Sequence, residues 1–387
     1  MKTMTVLKVT IFLIVPLVLG TLAAEGGAQT FKIGMIYSGT GSGAHTGIYA
    51  MRGVELAAEQ INAQGGIGGK KIEMVYENDD TSTEKSVTAA KKLIYGDKVL
   101  GIIGPEMSPC IFAVQKVTEE AKIPIISPTG SSPKLTEEKQ EWYFRNSPSA
   151  RYQTSDLAEY VKKQGLKRLG LLVDWGRTSD QVKTFEEDAK KVGLAIAVME
   201  KFQTGDTSFM SQLLKIKGEN PDGLVLFAMP TEGSAAAIQA KDLGIKVPLF
   251  GIIAMSYKEY IEMGGKAVEG TVVPTTFIPD NPDPVVQKFN ERFKAKFNVL
   301  PDHAAAHSYD ATNILAEVLK KLKLDNKPET LAEDRKKIRD GFATIKNYRG
   351  VSVPISYGPT PTAADRDGMK SLMLVQVKGG KWVILKK

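Results

Sequence analysis

The chain has 387 residues, 42% hydrophobic and 25% charged, with a formal net charge of +7. That length and apolar content support two domains with a core each, and exclude a disordered or low-complexity protein. The lysines are scattered (Lys162-Lys163, Lys190-Lys191, Lys320-Lys321) with no dense basic run interleaved with aromatics, so no nucleic-acid site is expected.

Residues 1–24 read as a secretory signal peptide. Lys2 and Lys8 precede the apolar run Val9–Leu22, and small residues at Ala23, Ala24 and Ala28 offer cleavage points. The run is short of the roughly 20 apolar residues needed to span a bilayer. Cys110 is the only cysteine, so no internal disulfide forms, and its apolar setting reads as a small buried hydrophobe.

After the leader, strand and helix patterns alternate with short turns. Ile33–Tyr37 reads as a strand, followed by a Gly/Ser-rich loop over 38–47. A helix then carries Val54, Ala57, Ala58 and Ile61 on one face and stops at Gly65-Gly66. Ile72–Tyr76 is a strand and Glu84–Tyr95 a helix. Two strand–turn–helix units follow, with strands at Val99–Ile103 and Ile123–Ile126, and Trp142–Arg145 reads as a further strand. The rhythm then restarts: helix Thr154–Gln164, strand Arg168–Val173, helix Gln181–Val192, strand Ala195–Phe202, helix Phe209–Ile216, strand Gly223–Ala228, helix Glu232–Leu243, strand Val247–Gly251. Later pieces are helix Tyr257–Met263, strand Val272–Thr276, helices Val285–Phe297, Ala304–Leu322 and Leu331–Phe342, and β-like Leu372–Val377 and Trp382–Leu385. This is the pattern of two parallel sheets, each covered by helices on both faces.

The turns after Val99–Ile103 and Ile123–Ile126 carry the chemistry. Ser108-Pro109 and Ser132-Pro133 each read as a cap followed by the first helical residue, and the second turn runs Ser127-Pro128-Thr129-Gly130-Ser131. Helix N-termini leave N–H groups unpaired at the positive end of a dipole. Two such turns side by side at the carboxyl edge of a parallel sheet make a cradle for a carboxylate.

Other chemistry is weakly signalled. His45, His303 and His307 are the only histidines, and His303 and His307 share a helical face without a third metal ligand in sight, so polar contacts between elements are expected of them. There is no Gly-x-Ser-x-Gly elbow, Walker lysine loop or cysteine–histidine constellation. Neither catalysis nor a cofactor is expected.

Ile33–Ser38, the segment Arg52–Ile67 ending in Ile-Asn-Ala-Gln-Gly-Gly-Ile, Ile125-Ile126-Ser127-Pro128, Phe144-Arg145 and Ser308-Tyr309-Asp310-Ala311 resemble the periplasmic leucine/isoleucine/valine-binding proteins of ABC transporters. The resemblance implies a type I periplasmic-binding-protein fold, an α/β architecture of two Rossmann-like lobes joined by three crossings near Ser147, Thr275 and Leu372. Lobe 1 is then 30–147 plus 275–372, and lobe 2 is 148–274 plus 373–387. It implies a monomer that captures a small ligand by lobe closure and delivers it to an ABC permease. The same fold could instead feed a chemoreceptor or sensor kinase. By the resemblance, Ser108, Thr129 and Ser131 match the positions that hold the ligand's carboxylate.

Departures from the family bear on the ligand. The acidic residue of lobe 2 that pairs with an α-ammonium falls at Ile253, and no acid is nearby. A family aromatic falls at Met229, and another at His45 or Thr46. A buried ammonium without a carboxylate costs on the order of several kcal/mol. The expected ligand is therefore a carboxylate lacking an α-amino group, aromatic or aliphatic, otherwise an amino acid. Tyr152, Trp175, Met229 and Ile253 are its expected walls, and Arg151 is expected to meet a second polar group.

Overall fold

The computed structural model describes residues 30–137 and 139–385. The leader read over 1–24 lies outside the described residues. The strands, in chain order, are β1 (Phe31–Tyr37), β2 (Ile72–Asn78), β3 (Ile102–Ile103), β4 (Ile125–Ser127), β5 (Tyr143–Pro148), β6 (Arg168–Asp174) and β7 (Ala195–Phe202). They continue with β8 (Gly223–Phe227), β9 (Leu249–Gly251), β10 (Val272–Thr275), β11 (Asp367–Met369), β12 (Met373–Lys378) and β13 (Lys381–Ile384).

These strands form two sheets. The first has the order β11-β5-β4-β3-β1-β2 and is parallel throughout. The second has the order β13-β12-β10-β9-β8-β6-β7, parallel from β7 to β10 and closed at one edge by the antiparallel β12 and β13. The chain passes from the first sheet to the second between β5 and β6, returns after β10, and passes over again between β11 and β12. This is a type I periplasmic-binding-protein architecture.

Each sheet is buried on both faces, which is why its strands read as near-continuous apolar runs. In β1, Ile33 and Met35 enter one core and Ile36 the other. In β6, Leu172 faces one core while Leu171 and Val173 face the opposite one. The helix Ala44–Ala63 lies close against the helix His303–Lys321, and Gly53 permits the approach, since a Cβ there would meet the Ala305 carbonyl oxygen at 2.2 Å.

The elements depart from the sequence reading in three places that matter. The strand expected over Val99–Ile103 is regular only at Ile102–Ile103, although Leu100 N–H still donates to Lys32 O at 2.9 Å and Gly101 O accepts from Gly34 N–H at 2.9 Å. The turn after β4 opens a helix of only four residues, Lys134–Glu137, so the cradle of two helix dipoles reduces to one, that of Ser108–Ala121. Within that helix Ser108 is the first residue and Met107 occupies the cap.

Candidate functional site

Both sheets have a topological switch point where consecutive strands leave in opposite directions, and a crevice opens there beyond the strands' carboxyl ends. In the first sheet it lies between β1 and β3. In the second it lies between β6 and β8. Gly104, at the end of β3, makes the first crevice possible. Its φ is +93°, and a Cβ there would sit 2.0 Å from the Ile36 carbonyl oxygen. Only glycine lets the chain leave β3 this close to β1. Pro105, Glu106, Met107 and Ser108 are thereby placed over the crevice.

The two crevices face a common cavity of 230 Å³. The first lobe lines it with Thr46, Glu106, Ser108, Thr129, Ser131 and His307, among others, and the second with Arg177, Met229, Ile253, Ala254 and Tyr257. Six of the nine residues expected from the sequence therefore converge: Thr46, Ser108, Thr129, Ser131, Met229 and Ile253. His45 stands beside the cavity, in an adjoining larger one of 530 Å³ that also borders Tyr257 and His303. Tyr152 and Trp175 line neither of the two. Trp175 lies against the second-lobe core, with the Lys201 ammonium 3.4 Å from its ring centroid. Arg151 turns outward and pairs with Glu137 at 2.6 Å instead of reaching the cavity.

Hydrogen bonds stitch the two first-lobe turns together. Ser127 Oγ donates to Pro105 O at 3.0 Å and to Thr129 O at 2.7 Å. Thr129 Oγ1 donates to Glu106 O at 2.7 Å. Ser108 Oγ accepts from Ser132 N–H at 3.4 Å, which leaves its own proton free to donate. Beneath the second turn, Arg145 and Asp367 are both fully buried and joined at 2.9 and 2.6 Å. The same guanidinium donates to Ser132 O at 2.7 Å and Thr136 Oγ1 at 3.0 Å, fixing where the turn sits.

Two ionisable groups that line the cavity were not singled out from the sequence. Arg177 enters from the start of the helix Trp175–Lys191. Glu106 is 1% exposed. Its Oε2 accepts from Ser38 N–H at 3.1 Å, and its Oε1 has no hydrogen-bond partner among the described residues. Burial, with the charge of Asp79 beyond it, pushes the Glu106 carboxyl up to about 8. Only its place in the turn Gly-Pro-Glu-Met-Ser, between an apolar strand and a helix, could have drawn notice.

The histidines form polar contacts between elements. His307 meets Thr276 Oγ1 at 2.6 Å and Pro128 O at 2.9 Å, and burial lowers it to about 4. His303 lies 3.3 Å from Tyr257 Oη, and burial lowers it to about 3. His45 pairs with Asp302 at 3.1 Å, and that hydrogen bond raises it. The Tyr257 ring, from the second lobe, thus sits between His45 and His303 of the first, with ring centroids 5.0 and 4.6 Å away. No group of three or more His, Cys, Asp or Glu positioned for a metal occurs among the described residues.

The comparisons agree with this geometry. A family model described as "Periplasmic binding protein" matches residues 30–381. A Leu/Ile/Val-binding protein homolog 3 of Brucella melitensis is 25% identical over 294 residues, covering 76% of this chain and 79% of its own. The leucine-, isoleucine-, valine-, threonine- and alanine-binding protein of Pseudomonas aeruginosa is 24% identical over 310 residues, covering 79% and 82%. Among solved structures, LivJ of Streptococcus pneumoniae in complex with isoleucine superposes with a TM-score of 0.79 at 26% identity, over 92% of this chain and 100% of that one. The leucine-binding protein LivK of Thermotoga maritima gives 0.78 at 25%, over 92% and 98%. With two doubly wound lobes, a cavity at their facing switch points and these relatives, the chain belongs to the periplasmic binding protein family, among the substrate-binding proteins of branched-chain-amino-acid-type ABC transporters.

Proposed function

We propose that this protein is exported through a cleaved leader, binds a small organic carboxylate lacking an α-ammonium in the 230 Å³ cavity, and hands it as a monomer to an ABC permease. Ser108 and Ser131 donate to the ligand's carboxylate from the first lobe, and the N-terminus of the helix Ser108–Ala121 adds its dipole. Met229, Ile253 and Ala254 form the apolar wall, and Arg177 brings a cation from the second lobe. A ligand touching both lobes favours the closed arrangement by the free energy of its contacts to the second.

One observation carries the ligand class. The second lobe lines the cavity with a guanidinium and no carboxylate. An α-ammonium enclosed there has no anionic partner from that lobe, which costs on the order of several kcal/mol. The second reading is an amino acid, as in the names of the relatives, with the unpartnered oxygen of Glu106 receiving the ammonium.

Thermal unfolding separates the two. Leucine and 4-methyl-2-oxopentanoate share a skeleton and differ at the α-position, and benzoate and cinnamate extend the series. At a hundred times its dissociation constant a ligand adds about 2.7 kcal/mol of stability. Stabilisation by the oxo acid or the aromatic acids and not by leucine is expected. Stabilisation by leucine, isoleucine or valine alone would return the protein to amino-acid binding.

A further inference from the structure

Two spaces adjoin between the lobes, and a thin layer of side chains divides them. Tyr257 and His303 border both the 230 Å³ cavity and the 530 Å³ one. Their neighbours separate: Thr46 and Ala254 line the smaller space, and His45 and Ser256 the larger. His45 and Thr46 are consecutive yet face opposite spaces, so the partition at Tyr257 is about one side chain thick.

The Tyr257 ring is seated in this partition rather than free to swing. It is 6% exposed, with the His45 ring 5.0 Å away on one side and the His303 ring 4.6 Å away on the other. Its hydroxyl lies 3.3 Å from His303 Nε2. The flanking histidine His45 is itself tied to Asp302 at 3.1 Å and stacked on Tyr49 at 4.6 Å. The backbone is fixed as well: Tyr260 N–H donates to Tyr257 O at 3.2 Å, and Thr275 Oγ1 donates to Ser256 Oγ at 3.1 Å.

A row of rings leads from the carboxylate cradle to this wall. His307 meets Pro128 O at 2.9 Å, beside the second turn. His303 follows one helical turn away, 5.6 Å between ring centroids, and Tyr257 comes a further 4.6 Å on. All three line the smaller cavity. A tail that runs along this row from a carboxylate at Ser108 and Ser131 ends on the Tyr257 ring. The space it has is small, since ligand clefts commonly hold roughly 300–1,000 Å³.

We infer that Tyr257 sets the length of carboxylate the cleft accepts, as the end wall that shuts the ligand's tail out of the larger space bordered by Ile261, Phe277, Leu300 and Trp382. The inference rests on a carboxylate held at Ser108 and Ser131, as read above, and deepens that reading to a short acid. The wall belongs to the second lobe and the histidines that flank it to the first. A tail that is too long keeps Tyr257 from seating between them, and so opposes the approach of the lobes that a shorter ligand favours.

The experiment is calorimetric titration of the protein with straight-chain acids from butanoate to dodecanoate, and in parallel with the matching 2-amino acids. In wild type each added methylene should tighten binding about fourfold while the tail has room. The first acid too long should then lose about tenfold, as overfilling a packed space does. Tyr257→Ala and Tyr257→Leu should carry the rise past that length, whereas Tyr257→Phe, which keeps the ring, should break where wild type does. A wild-type series with no break, or a break at the same length in the alanine and leucine variants, would overturn the role of Tyr257 and leave the carboxylate reading standing. If only the amino acids bind, the proposed ligand class fails, and a break that Tyr257→Leu relieves still assigns the wall. If neither series binds, both fail. Should both smaller variants misfold, a crystal structure of wild type with the longest acid that binds decides. A terminal carbon against the Tyr257 ring supports the wall, and a tail that points elsewhere overturns it.

Discussion

Ser108 and Thr129 stand in the same cleft, but their hydroxyls are not equivalent. Thr129 Oγ1 has committed its proton to the Glu106 carbonyl, while Ser108 Oγ only accepts and retains its proton. Ser108→Ala is therefore expected to weaken carboxylate binding by about 1.5–3 kcal/mol, roughly ten- to a hundredfold in dissociation constant by calorimetry. Thr129→Val leaves a buried carbonyl unpaired, and its expected signature is a loss of about 1–3 kcal/mol in chemical denaturation. Of Ser108 only the helix start at Ser-Pro was legible in the sequence, since the N–H that meets its hydroxyl belongs to Ser132, 24 residues on. The fate of the Thr129 proton was not, because its acceptor is 23 residues away. Glu106 escaped notice for a related reason. A glutamate in a turn reads as solvated until the neighbouring strand end and Ser38 close over it.

At the level of elements, β5 and β11 are held together by the buried Arg145–Asp367 pair as well as by their ladder. Removing one partner strands the other charge away from water. Arg145→Ala and Asp367→Ala are each expected to cost about 3–5 kcal/mol in urea unfolding, and Arg145→Met combined with Asp367→Leu to recover most of that loss. Arg145 also anchors the turn after β4, so the single variants should disturb Ser131 as well. Long elements were legible, and β7 has the bounds read for it in the sequence, Ala195–Phe202. β11 was not. Asp-Gly-Met offers no apolar run, and its place at the sheet edge is set by a charge on a strand 222 residues earlier.

For the whole molecule, four buried groups shape stability against pH. Burial lowers His303 and His307 from 6.5 to about 3 and about 4, and raises Glu106 from 4.5 to about 8 and Asp310 from 3.8 to about 6. Between pH 4.5 and 6 the unfolded chain holds two protons on the histidines, and the folded chain holds two on the carboxyls, so these contributions cancel. Below pH 4.5 the unfolded chain gains protons on its carboxyls while the folded histidines still resist, and stability falls. From pH 6.5 to 8 only the folded Glu106 carries a proton, and stability falls by on the order of 1.4 kcal/mol per pH unit. Melting temperature against pH should therefore show a plateau over 4.5 to 6. In Glu106→Gln the fall above 6.5 should vanish and the optimum should move to neutral pH. A wild-type curve still rising through pH 8 would contradict the burial assigned to Glu106.

The interleaving of the two sheets also sets an order in time. Strand β11 completes the first sheet, and β12 and β13 complete the second, yet all three are made after every other strand. While the ribosome is still producing the helices that precede them, Arg145 has no counter-charge and both sheets present an open edge. Neither lobe can therefore finish folding as an independent unit during synthesis, however early its first strands emerge. A chain halted before Asp367 should be digested by trypsin throughout both lobes, where the full chain is resistant. A newly made polypeptide of this design stays unfinished, and open to chaperones, until its last strands exist.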